Sequence, residues 1–142
     1  MSRFARFIRR ERGAAVLEFA LIAPIFFLLV VGILMFSRGY QRLNALNSAL
    51  REGARMASTQ SDPWAQRNAI KARMLTFSSA FGFGIDTSRV SITPSVSPAP
   101  AGTTTVTVSV TNYTLFSGLN FLGTLQNVQV SRTASFRWEY GP

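Results

Sequence analysis

The chain has 142 residues, which suits one modest domain plus an anchor rather than two independent cores. It contains neither Cys nor His, so disulfide frameworks, thiol chemistry and Ser-His-Asp or Cys-His catalysis are excluded, and zinc sites lose their usual ligands. Lys and Arg number 15 against 6 Asp and Glu, a net charge of +9.

The charge is unevenly placed. Residues 1–12 hold Arg3, Arg6, Arg9, Arg10 and Arg12 against Glu11 alone, directly ahead of an apolar run, where a membrane anchor puts its cations. No basic helix with interleaved aromatics or RNA-binding motif accompanies this excess, so no nucleic-acid partner is expected. The six acidic residues, at 11, 18, 52, 62, 86 and 139, are scattered. No paired-carboxylate or metal-ligand spacing emerges, and the sequence predicts neither an enzyme nor a cofactor.

From Ala14 to Phe36 runs AAVLEFALIAPIFFLLVVGILMF, with Glu18 its only charge and Pro24 its only strong helix breaker. At about 1.5 Å per residue this helix is roughly 34 Å long, enough to cross about 30 Å of hydrocarbon. The remainder, 39–142, is too small to wrap so long an all-round apolar helix as a core element. A cleavable secretory signal has a shorter apolar region and a small-x-small end, whereas this run ends in Leu34-Met35-Phe36-Ser37-Arg38. Arg38, Arg42, Arg51 and Arg55 follow the run, so the charge bias is slight; the density before it favours a cytoplasmic N-terminus.

Gly13 stands at the boundary between the basic tail and the apolar run, and Glu18 follows five residues later. An ionisable group at membrane depth is expensive and therefore a functional candidate. Two plainer readings stand beside it: Glu18 snorkels toward the headgroups, or it pairs with Arg10 or Arg12 in an uncleaved anchor. Pro24 mid-span reads equally as a tolerated kink or as a packing feature.

This arrangement of basic tail, Gly, four small or apolar residues, Glu, aromatic and long apolar helix resembles prepilin-type signals. It is most similar to the TadE-like family of the tight-adherence (Flp-type) pilus system. RRERGAAVLEFALIAPIFFLLVVGILMFSRGY at 9–40 carries most of the resemblance, and Ala49-Leu50-Arg51-Glu52-Gly53-Ala54-Arg55-Met56-Ala57 adds to it. The resemblance implies a minor pilin or pseudopilin in the bacterial inner membrane, its N-terminus cytoplasmic and its C-terminal part periplasmic. It implies a leader, 1–13, cut after Gly13 by a prepilin peptidase, leaving Ala14 as the new N-terminus. Glu18 then becomes the fifth residue and pairs with the N-terminal amine of a neighbouring subunit, with Phe19 and Pro24 in the helix that packs into the assembly. The implied partners are the peptidase, other pilin or pseudopilin subunits and the pilus assembly platform. The alternative is an uncleaved, single-pass, membrane-anchored binding module of the periplasm.

Beyond the span, 14–36, the helix is expected to extend through 37–59. Leu43, Leu46, Leu50, Ala54 and Ala57 fall on one face, with Arg42, Arg51, Glu52 and Arg55 opposite. In the head, 60–142, Asp62-Pro63 reads as the start of a second helix over 64–76, with Trp64, Ile70, Met74 and Phe77 as candidates for burial. Phe81 and Phe83 are expected to be buried under a Gly-rich loop. Strands follow at 90–93 and 103–113, where Val106, Val108 and Val110 alternate with polar residues. Between them Ala101-Gly102 marks a turn, and 116–123 is expected to form a turn or short helix. Val128, Val130, Ala134, Phe136 and Trp138 mark a last strand whose pattern Arg132 breaks. The expected fold is α+β: a long N-terminal helix and a small head of one helix and about three antiparallel strands, the pilin-like lollipop.

Overall fold

The computed structural model describes residues 3–116 and 128–141, with side chains from Gly13 onward. Helix α1 spans Arg3–Ser58 and α2 spans Arg67–Ser79. A 3-10 turn at Thr87–Arg89 leads into β1 (Val90–Thr93), followed by β2 (Thr105–Thr114) and β3 (Gln129–Arg137). The chain is α+β and divides into two compact units, 1–37 and 38–142.

In the first unit α1 has no core to serve. Val16, Leu17, Phe19, Leu21, Ile22 and most apolar side chains onward to Phe36 are exposed, with Ala23, Val30 and Met35 half-buried. The stretch has a mean hydropathy of 2.9 and none of it is buried, so α1 carries one candidate membrane span by length and composition.

The second unit has a core built from all its elements. From α1 it takes Leu46, Ala49, Leu50, Ala54 and Ala57, and from α2 Ile70 and Met74. Small residues along α1 let α2 approach closely: a Cβ on Gly53 would lie 2.6 Å from both Cγ and Sδ of buried Met74. The expected apolar face is therefore present, widened by Ala45, Ala49 and Gly53. Leu43 is only half-buried.

The sheet is antiparallel in the order β1-β2-β3. β1 pairs with β2 at Val90↔Val110 and Ile92↔Val108, and β2 pairs with β3 at Val106↔Phe136, Val108↔Ala134 and Val110↔Arg132. Directly opposed residues share a face, so the buried valines of β2 define the core side of all three strands. Strict alternation ends at Val110. A bulge between Val110 and Tyr113, with Asn112 at φ 54°, shifts the register so that Tyr113 faces inward next. The 101–102 turn is present, with Gly102 at φ 84°.

Several details depart from the sequence reading. Asp62 and Pro63 do not open α2. The Asp62 carboxylate accepts from Ala65 N–H at 3.0 Å and its carbonyl from Gln66 N–H at 3.2 Å, so it caps an isolated turn and the helix restarts at Arg67. At its other end α2 runs past Thr76, where the Thr76, Ser78 and Ser79 hydroxyls bond back to carbonyls one turn earlier. Trp64 and Phe77 are half-buried. Phe81 is 54 % exposed and Phe83 half-buried, because the Gly82–Gly84 loop lies outside the packed layers instead of roofing them. Along β3, Val130 and Ala134 are half-buried and Phe136 exposed, as befits an edge strand, while Val128 is exposed and precedes the strand. The reading of 116–123 falls outside the described residues after Phe116.

The C-terminal end of α1 is closed by the residues after β3. Glu139 N–H donates to the Ser58 carbonyl at 3.1 Å, one of the helix-end acceptors without an intrahelical partner. Trp138 is buried and donates from Nε1 to the Gln60 carbonyl at 2.8 Å, while its N–H reaches the Thr104 carbonyl at 2.9 Å.

Candidate functional site

The residues singled out in the sequence all lie on one helix. Gly13, Ala14, Glu18, Phe19 and Pro24 follow one another along α1, every one exposed. Five residues of helical rise separate Gly13 from Glu18, about 7.5 Å. A Cβ added at Gly13 would meet nothing within 4 Å, so no packing reason within the described residues requires glycine there. Gly13 does weaken the helix locally, by about 1 kcal/mol relative to Ala.

Glu18 is a carboxylate on an exposed apolar helix. Among the described residues it has no hydrogen bond or ion pair. Its neighbours Leu17, Phe19, Leu21 and Ile22 are each more than 60 % exposed, so none of the described residues covers this surface. Pro24 lacks the N–H that would bond the carbonyl one turn back, yet the helix continues through it. The geometry suits a helix that buries its surface in a membrane or against other helices, with one acidic group available for a cation.

Among the described residues, five charged residues of the second unit meet in ion pairs. Glu52, with a side chain only 17 % exposed, is bridged by Arg55 at 3.1 Å and by Arg73 of α2 at 3.3 Å. The hydrogen bond from Arg55 holds the Glu52 carboxyl below its ordinary value, against the opposing effect of burial, with Arg73 adding to the lowering. Asp86 is lowered first by the Ser88 hydroxyl and then by Ser88 N–H, and it bridges Arg89 at 3.4 Å. The Ser97 hydroxyl lowers Asp62, with Ala65 N–H adding to it. Arg42 does not sit on the solvent side of α1 as its spacing suggests. It is half-buried, donates to the Leu115 carbonyl at 3.1 Å and lies 5.3 Å from the centre of the Phe83 ring. Desolvation raises the Tyr113 phenol, and the Arg42 charge opposes that shift.

Sequence reasoning missed one feature. Arg51 and Arg132, 81 positions apart, line a groove of about 250 Å³ with Asn47, Leu50, Thr133 and Ala134. The one signal for it was Arg132 interrupting an alternating strand.

An exposed apolar helix bearing one carboxylate and leading into a small α+β unit makes the chain a candidate membrane-anchored protein. Residues 13–55 match the model of the family described as TadE-like protein. The match contains Gly13, Glu18 and the whole span and ends inside α1, before α2 and the sheet. The family suggests a protein associated with tight-adherence (Tad) pili and with pilus components generally. No curated protein and no solved structure matches the chain.

Proposed function

We propose that the chain is a minor pilin or pseudopilin acting in assembly of a tight-adherence pilus. One observation carries this reading: Glu18, an exposed carboxylate in an apolar helix with no ion pair among the described residues, stands five positions after a glycine within the TadE-like segment. An inert anchor has no use for that group.

The physical sequence runs as follows. The basic tail holds the N-terminus on the cytoplasmic side of the inner membrane, and residues 38–142 lie in the periplasm. A prepilin peptidase cuts after Gly13. Glycine, the residue least committed to a helix after proline, lets the backbone leave α1 and extend in the protease. Ala14 then carries a free ammonium and Glu18 lies one turn away. Each charge is unfavourable in hydrocarbon alone and much less so when paired. The Glu18 carboxylate therefore meets the ammonium of a neighbouring subunit and sets the axial register between helices. Phe19, Pro24 and the surrounding apolar side chains supply the packing. The role is structural, requires no cofactor, and uses other pilin or pseudopilin subunits and the assembly platform as partners.

The test is Gly13→Val expressed in a host with an active pilus system. Retention of the leader, seen as a slower-migrating band beside wild type, is expected. Identical migration of the two proteins would contradict cleavage at this site.

A further inference from the structure

We propose that the groove between α1 and β3 is a docking site for an acidic, extended segment of a protein partner, whose carboxylate sits between Arg51 and Arg132. The site lies wholly within residues 38–142 and does not depend on leader processing.

Arg132 occupies a position where a charge is out of place. It stands directly opposite Val110, so it belongs to the core side of the sheet, in a row otherwise holding Val130, Ala134 and Phe136. The strand leaves it exposed, and among the described residues it has no hydrogen bond or ion pair. A second guanidinium, Arg51 of α1, lines the same groove, also exposed and also without such a partner. The half-buried Asn47 adds an amide to the lining, which contains no carboxylate.

Among the described residues, other cations of the unit have partners, while Arg38, Lys71 and Arg137 also lack one but line no groove with a second guanidinium. Arg55 and Arg73 meet Glu52, Arg89 meets Asp86, Arg67 lies over Trp64, and Arg42 reaches the Leu115 carbonyl and Phe83. Two like charges lining one groove from different elements favour an anion in that groove. A position that breaks the local pattern without internal compensation marks function more often than stability.

Protein fits better than a small anion because of what adjoins the groove. β3 is an edge of the three-stranded sheet, and among the described residues no strand pairs with its outer side. Such an edge accepts an extended peptide through backbone hydrogen bonds, with side-chain sites alongside supplying specificity. The bulge between Val110 and Tyr113 lies beside Arg132, and Asn112 N–H there donates to Ser131 Oγ at 3.3 Å. Bulges commonly redirect side chains next to binding sites.

The experiment uses the full chain in zwitterionic micelles and a fluorescein-labelled, alternating threonine–valine peptide carrying one central glutamate. Its glutamine counterpart, inorganic phosphate and phosphatidylglycerol are the comparison arms. Saturable binding of the glutamate peptide is expected, at least about tenfold tighter than the glutamine peptide. Arg51→Gln and Arg132→Gln should each weaken it by about tenfold. Arg55→Gln, the same loss of charge one turn from Arg51, should leave it unchanged. Both groove positions are exposed, and an unaltered circular dichroism melt would confirm that the variants fold. Equal binding of the two peptides, or wild-type affinity in the double variant, would overturn the proposal. So would displacement of the peptide by phosphate or phosphatidylglycerol at lower concentration, which would mark a phosphate site. If Arg132→Gln leaves peptide binding intact and makes the protein self-associate, Arg132 merely guards the sheet edge and the proposal fails.

Discussion

Single side chains decide two questions here, one about assembly and one about stability. For assembly, Glu18→Gln removes the charge but keeps the shape. It is expected to leave membrane insertion unchanged and to lower surface piliation by about tenfold or more, since an unpaired ammonium in hydrocarbon remains behind. Fractionation and pilus shear assays measure the two separately, and wild-type piliation would remove the pairing role. For stability, Glu52 is the informative titrating group. Its carboxyl is held below its ordinary value of 4.5 chiefly by the Arg55 hydrogen bond. A depressed carboxyl contributes stability that is fully present above the unfolded value and lost as pH falls through the folded one. Asp62 and Asp86, lowered by serine hydroxyls, act in the same direction. The melting temperature should therefore hold near neutrality and decline on acidification below the ordinary carboxylate range. Glu52→Gln should lower it near neutral pH and flatten the decline. A wild-type melting temperature that rises on acidification would contradict the assignment.

At the scale of elements, α1 and α2 are joined by a side chain filling the space a missing Cβ leaves. Met74 packs against Gly53 so closely that any larger residue must displace buried atoms. Gly53→Val should destabilise the unit by about 1–3 kcal/mol, as overpacked cores do. Met74→Ala in the same chain should recover part of that loss, because the two substitutions share one space. Additive losses in a denaturant double-mutant cycle would show that the contact is not the cause. The second junction is the closure of the α1 C-terminus by the segment after β3. Trp138→Ala removes a buried indole and its hydrogen bond to the Gln60 carbonyl, and should cost about 3–5 kcal/mol. Trp138→Phe keeps most of the apolar body and should lose about 1 kcal/mol for the bond. Equal losses in the two variants would mean that the indole N–H, not the packing, dominates.

For the molecule as a whole, legibility followed the range of the interaction. The long apolar helix was readable because hydrophobicity and length are local properties, and β1 emerged at its expected bounds. β2 was legible up to Val110 and then misleading, since the bulge that turns Tyr113 inward depends on pairing with β3. The start of α2 was misplaced because Asp62-Pro63 is equally good chemistry for a helix and for one capped turn. Arg42 was assigned to solvent from its place on the helical wheel, and its stacking on Phe83 arises between residues far apart in the chain. The Arg51–Arg132 groove was least accessible of all, for the same reason. At the candidate processing and pairing site, Gly13 and Glu18 were singled out by their place at the edge of an apolar run, and their proposed roles came from the resemblance to prepilin-type signals. Their proposed function lies between molecules.

That intermolecular role depends on one chemical event, the exposure of an amine at Ala14. The decisive measurement is N-terminal sequencing by mass spectrometry of the protein isolated from membranes of a host with an active pilus system. The account predicts a chain that begins at Ala14, with Glu18 fifth. A chain that retains residues 1–13 under those conditions would contradict it and leave an anchored domain without a pilin's means of assembly.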